Sequence, residues 1–285
     1  MPLVINTNTA SLNAQRYLTL NNAMLSKTQE QLASGYRINR AGDDAAGLFV
    51  SESLRAQIRG SKKALDNTQD GINMLNIADG AMQTITDNLQ RIRELTVQAA
   101  NETYSQAQRT AINGEIDALR NDIDRIAQST QFNGAHLMDN TTPANVYIQL
   151  GPNNSATNDR IDLAAALGDV RATAAGGLNL TTAAAANITS NTTAQTYLGN
   201  IDTALTTLNT KRAALGAMVN RLQGAANNLS INIENNTAAE SRVRNVDVAA
   251  ASAQMSQYNI LQQASTAILS QANQIPSLAL KLLGN

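Results

Sequence analysis

The sequence predicts an all-α fold, a long coiled-coil helical bundle with a small β-hairpin in the middle and its N- and C-terminal segments packed together. Three observations carry this expectation. Apolar residues recur at sevenfold, or alternating four and three, spacing over much of the 285 residues. Aromatic residues make up only 3% and Trp is absent, so the 43% hydrophobic content suits thin helical packing better than a ligand-enclosing core. A period of two, the signature of a strand, marks Val146, Ile148 and Leu150.

From Asn13 to Ala33 the chain is helix-compatible, with Leu18, Leu25 and Leu32 seven residues apart and Gly35 placed to end the helix. Residues 34–42, SGYRINRAG, read as a turn, after which Asp43 or Asp44 can cap a second helix. That helix runs to about Ala100, with Leu75, Met82 and Leu89 on one row and Ile85, Ile92 and Ala99 on the next. At 1.5 Å per residue it spans roughly 85 Å. After NETYS, Ser105 and Gln108 fit a capping box. Ile112, Ile116, Leu119, Ile123 and Ile126 then place a third helix back along the second.

The middle, from about Phe132 to Thr196, changes character. Val146, Ile148 and Leu150 alternate, a Gly-Pro-Asn-Asn loop follows, and Ile161 with Leu163 can pair back as a hairpin with a nine-residue loop. The remainder of this stretch is small, polar and low in complexity. It reads as an exposed surface segment too poor in large apolar groups to form its own domain. From Ile201 the four-three alternation returns through Leu205, Leu208, Leu215, Val219, Leu222, Ala226, Leu229 and Ile233, interrupted by Arg212 at one seam position. The last segment carries Leu261, Ile268 and Ile275 at sevenfold spacing, mirroring Leu18, Leu25 and Leu32, and Pro276 is expected to stop the pattern. Two such terminal stripes are expected to pack together, and to order on assembly, because helices of this kind gain most of their stability from packing.

Several function classes are disfavoured. With 21 basic and 22 acidic residues the chain lacks the electrostatic footprint of nucleic-acid binding. Zero cysteines exclude disulfides, thiolate metal sites and cysteine nucleophiles. The opening MPLVINTNTASLNAQ lacks a basic segment followed by an apolar run, and no stretch is apolar enough to span a bilayer, so neither Sec-type export nor membrane insertion is expected. The lone His136 has no second histidine or cysteine to complete a metal site. Asp43 with Asp44, and Asp122 with Asp124, read as helix caps and solvated faces, and neither HExxH nor a GxxxxGK[ST] loop is present. No cofactor and no catalysis are expected.

Six segments together carry a family resemblance: VINTNTASLNAQ at 4–15, LASGYRINRAGDDAAG at 32–47, DGINMLNIADGAM at 70–82, LQRIRELTVQAAN at 89–101, TQFNG at 130–134 and ILQQASTAILSQANQIP at 260–276. The chain resembles bacterial flagellin, in a short form with a reduced central region. The resemblance implies a homopolymer that forms a thin flagellar filament, secreted through the flagellar type III apparatus. Within it, 1–42 and 245–285 form an inner coiled-coil tube packed through Leu18, Leu25, Leu32, Leu261, Ile268 and Ile275. Residues 43–137 and 196–244 build the helical core domain, and 138–195 form the hairpin and a variable surface.

The resemblance implies further partners. These are an export chaperone on the C-terminal segment, with Leu261, Ile268 and Leu278 as apolar anchors, and filament cap and hook-junction proteins. LQRIREL is similar to the segment through which the animal innate receptor Toll-like receptor five recognises flagellins, and Arg91, Leu95 and Glu115 fall on the matching positions. With Leu89 and Ile92 on the seam, Arg91 and Leu95 lie off it, one turn apart and open to a partner. Ser155, Ser190 and Thr192 are candidate O-glycosylation acceptors in the exposed middle. The rival reading is a hook–filament junction protein, which shares related terminal helices.

Overall fold

The computed structural model describes residues 7–139, 146–164, 166–174, 177–180 and 188–283, with side chains to Gln274. Five helices account for most of it: α1 (Thr9–Ser34), α2 (Ala45–Ala99), α3 (Gln106–Ser129), α4 (Asn191–Arg244) and α5 (Val248–Leu283). Two small antiparallel hairpins lie between α3 and α4, β1 (Gln131–Phe132) with β2 (Ala135–His136) and β3 (Tyr147–Gln149) with β4 (Arg160–Asp162). The chain divides into two compact units, residues 1–56 with 235–285, and residues 57–234.

Local chemistry sets the helix ends. α1 stops at Gly35, which adopts the left-handed φ of 73° while its N–H donates to the Gln31 carbonyl. The Asp44 carboxylate accepts from the Gly47 N–H at 2.9 Å, so it caps α2. Ser105 and Gln108 complete the capping box on α3.

In the larger unit α2 is flanked on two sides. Arg91 pairs with Glu115 of α3, and Asn88 reaches Asp122 of α3. On the other flank Arg93 pairs with Asp202 of α4 and Asp79 with Arg212. Along both sets the numbers run in opposite senses, so α3 and α4 each lie antiparallel to α2. The core between them contains Leu75, Met82, Ile85, Leu89 and Ile92 of α2, Ile116 and Ile123 of α3, and Ile201, Leu208, Leu215 and Leu222 of α4. Arg212, the seam interruption, tips its guanidinium 3.0 Å from Asp79 instead of entering that core.

The expected β3–β4 hairpin is present with Ile148 opposite Ile161, and its connection, residues 150–159, is ten residues long where nine were expected. Its loop lies against α2, where a Cβ on Gly60 would come within 2.7 Å of Pro152. The β1–β2 hairpin turns on Asn133 and Gly134, both at positive φ, and had no periodic signal to announce it.

Three expectations are corrected. The middle segment is not simply exposed, because Leu163, Leu167, Val170, Leu178, Leu180 and Ile188 are buried in the helical core. These residues are scattered irregularly among alanines, glycines and polar residues, so no periodicity betrays them. α4 begins at Asn191, five residues ahead of the expected 196–244, because Ala194 and Tyr197 extend the four-three row upstream of Ile201 and are fully buried. α5 runs through Pro276 to Leu283, a long helix absorbing the lost N–H bond of one proline.

Candidate functional site

In the smaller unit α1 and α5 form an antiparallel pair. Along α1 the row Ser11, Ala14, Leu18, Asn21, Leu25, Thr28 and Leu32 is buried or half-buried, a three-four alternation that includes the whole expected leucine row. The facing row on α5 is Ala251, Met255, Tyr258, Gln262, Ser265, Leu269 and Ala272. Polar bonds fix the register: Asn8 Nδ2 to the Ala272 carbonyl at 2.8 Å, Ser11 Oγ to Asn273 Oδ1 at 2.7 Å, and Asn21 Nδ2 to Ser265 Oγ at 3.0 Å.

The C-terminal half of the expected seam is therefore displaced by one residue. Leu261 and Ile268 sit beside the α1-facing row, 38% and 59% exposed, and the Ile275 and Leu278 side chains lie outside the described residues. Ala251, Ser265 and Ala272 let the two helices approach and Met255, Tyr258 and Leu269 fill the row between them, while Leu261 and Ile268 beside it are turned outward. Leu261 and Ile268 line a groove of about 480 Å³ with Ala10, Ala14, Tyr17 and Ser265.

More apolar surface surrounds this pair. Leu12, Leu20, Met24, Val248 and Ile260 are exposed on the same two helices, and Phe49 is 77% exposed at the start of α2. Most of the large exposed apolar residues of the described chain belong to this unit. Side chains of this size at such density mark a surface that is covered in use.

The α1–α2 and α4–α5 connections are bound to each other within the same unit. The Arg37 N–H donates to the Arg244 carbonyl at 2.7 Å, and the Val246 N–H to the Gly35 carbonyl at 3.0 Å. Arg244 stacks 4.7 Å from the Tyr36 ring centroid and pairs with Glu52 at 2.6 Å. Arg244 and then Arg55 hold the Glu52 carboxyl below its ordinary range. Asp43 is pushed down to about 2, chiefly by Lys27, with the Arg40 and Asn39 backbone N–H groups adding to it.

On the larger unit, Arg91 and Glu115 come together. Arg91 Nε and Nη2 both donate to Glu115 Oε1, at 3.2 and 2.9 Å, and Nη1 reaches Glu94. Glu115, then Glu94, raise the Arg91 pKa above its ordinary value. Leu95 does not join them at the surface, being 3% exposed within the core. The expectation of an open Leu95 fails because α2 packs against two helices. Its buried stripe is wider than a two-helix seam, with Ile72, Met74 and Leu75, then Ile85 and Thr86, then Leu95 and Thr96 all buried.

The candidate acceptors differ among themselves. Thr192 is exposed, whereas Ser155 accepts from the Asn158 N–H at 3.2 Å and Ser190 caps α4 by accepting from the Thr193 N–H at 3.3 Å. His136 Nδ1 lies 2.7 Å from the Gln128 carbonyl. Among the described residues no group of three or more His, Cys, Asp or Glu is arranged to hold a metal ion, and no helix is long and apolar enough to cross a membrane.

Comparison with known proteins bears on this geometry. Residues 5–142 match the bacterial flagellin N-terminal helical region, and residues 198–283 match the bacterial flagellin C-terminal helical region. The chain is 43% identical to the flagellin of Halalkalibacterium halodurans, over 99% of this chain and 100% of that one. It is also 43% identical to the flagellin of Bacillus subtilis, over 98% and 99%, and 40% identical to the flagellar filament 33 kDa core protein of Treponema phagedenis, over 99% and 100%. With both helical regions matched and the likeness running end to end, the chain belongs to the bacterial flagellin family, structural proteins of the flagellar filament.

Proposed function

We propose that this chain polymerises into the flagellar filament through its terminal helices, residues 1–42 and 245–285 forming the inner tube and 43–244 the outer part. The observation that carries this reading is the apolar surface of the α1–α5 pair. The contact within the chain runs from Leu18, Leu25 and Leu32 to a row on α5 that mixes small, polar and large residues, while Tyr17, Leu20, Leu261 and Ile268 remain available to neighbouring copies. The full-length likeness to flagellins favours the filament body over a hook–filament junction protein.

Because the chain has no cysteine, single labels test the reading cleanly. An environment-sensitive dye on Ile268→Cys is expected to become shielded on seeded polymerisation, whereas the same dye on the Thr192→Cys variant stays exposed. Equal exposure of the Ile268 label before and after polymerisation excludes the terminal-helix interface.

The same reading extends to partners. Secretion proceeds through the flagellar type III apparatus, an export chaperone covers the apolar face of α5, and cap and hook-junction proteins seat the ends of the filament. Toll-like receptor five reads the monomer at the exposed Arg91–Glu115 pair, with Leu95 holding the α2 backbone beneath it. Competition between unlabelled monomer and an Arg91→Ala variant for the receptor ectodomain tests that assignment, and equal affinity removes it. If the central surface is O-glycosylated, Thr192 offers the freest hydroxyl of the three candidates.

A further inference from the structure

The buried threonines of α2, Thr68, Thr86 and Thr96, bond their own helix backbone, whereas a second set of buried polar side chains lies along α3 and α4. Arg109, Asn113 and Arg120 share a face of α3, at intervals of four and seven residues. Tyr197 of α4 lies close enough to Arg120 to feel its charge. Arg109 reaches toward the start of α4, donating through Nη1 to the Thr189 carbonyl at 3.2 Å, and through Nη2 to the Asn101 carbonyl at 3.1 Å. Tyr197 is 0% exposed, and Arg109 and Asn113 are each 8% exposed.

Arg109 Nε, Asn113 Oδ1, Arg120 Nε and Tyr197 Oη are all buried without a hydrogen-bond partner among the described residues. Asn191 Oδ1 at the head of the seam shares this condition. Ala194, fully buried on the α4 face, contributes only a methyl group between the larger polar side chains. Buried polar groups in folded proteins are nearly always paired, so several unpaired atoms along one seam call for a ligand.

We propose that ordered water molecules occupy the α3–α4 seam and bridge Arg109, Asn113, Arg120 and Tyr197. The atoms present select water. Two guanidinium N–H donors repel a cation, the Asn113 carbonyl oxygen disfavours an anion, and an apolar guest would leave all four unpaired. Water donates to Asn113 Oδ1, accepts from both Nε–H groups and does either for the Tyr197 hydroxyl, meeting the two to four polar partners that a buried water needs. On this proposal α3 and α4 meet each other through a hydrated line.

The test is Tyr197→Phe in the full chain, a change that keeps the ring and removes one water partner. Chemical unfolding of the monomer is expected to show a folding equilibrium constant reduced by about 2- to 13-fold, the loss of one net hydrogen bond. Magnetic relaxation dispersion of water nuclei is expected to show long-lived internal water in the parent and less of it in the variant. A variant as stable as the parent or more so overturns the proposal, since removing an unpaired buried hydroxyl is stabilising. A destabilised variant with unchanged long-lived water overturns it equally, because the hydroxyl is then paired to protein.

Discussion

Replacing Ile268 by Ser separates assembly from folding. An isoleucine side chain moved fully out of water contributes about 1.5–3 kcal/mol. Since Ile268 is 59% exposed in the single chain, covering the remainder in a filament is worth about 1–2 kcal/mol. The critical concentration for seeded growth is therefore expected to rise by about 5- to 30-fold. Ile268 contributes to no hydrogen bond with α1, and the part of it already buried is worth about 1 kcal/mol or less, so monomer helicity by circular dichroism is expected to change little. Sedimentation of seeded polymer over a concentration series gives the critical concentration directly. An unchanged value in a variant of unchanged helicity refutes the reasoning, because Ile268 would then remain in water in the filament.

Four other perturbations follow from the larger unit. Leu95→Ala is expected to destabilise it by about 2–5 kcal/mol through lost burial and a cavity. Arg91→Ala, which removes only exposed ion pairs, is expected to cost about 1 kcal/mol or less, and thermal unfolding separates the two. Ser105→Ala breaks the capping box and is expected to cost about 0.5–2 kcal/mol, read as a shift in the urea midpoint. Asp122 is held below its ordinary value of 3.8 chiefly by the Arg125 hydrogen bond, with Asn88 assisting. Its folded pKa is depressed, so its contribution is complete above 3.8 and is lost as pH falls through the folded value. Arg125→Gln should move the Asp122 titration upward in carbonyl-detected NMR, and an unmoved titration would show that the pair is not formed.

The long helices and their punctuation were legible because each rests on local chemistry: Gly35 at a left-handed end, Asp44 at a cap, Ser105 with Gln108 in a box. Features that depend on how many neighbours a helix has were not legible. Leu95 looks exposed when α2 is given one partner and is buried once α3 and α4 flank it on two sides. Leu261 and Ile268 form the stronger apolar row on α5, yet helix approach is governed by Ala251, Ser265 and Ala272, whose small side chains carry little hydrophobic signal. The β1–β2 hairpin, two residues per strand, is too short for any period to mark it. Scattered apolar residues of the middle, such as Leu178 and Ile188, reveal their burial only against the assembled bundle.

The outward apolar face of the α1–α5 pair follows from the same packing rule. Small residues at Ala251, Ser265 and Ala272 let two helices of one chain approach, and under the proposed function Leu261 and Ile268 beside that row serve other copies. Under the proposed function the internal seam and the assembly surface lie one residue apart on α5.

The most direct test of terminal-helix assembly is negative-stain electron microscopy of the full chain beside a chain lacking residues 245–285, each given short filament seeds. The account predicts long uniform filaments from the full chain and none from the truncated one. Filaments from both, or from neither, would contradict it.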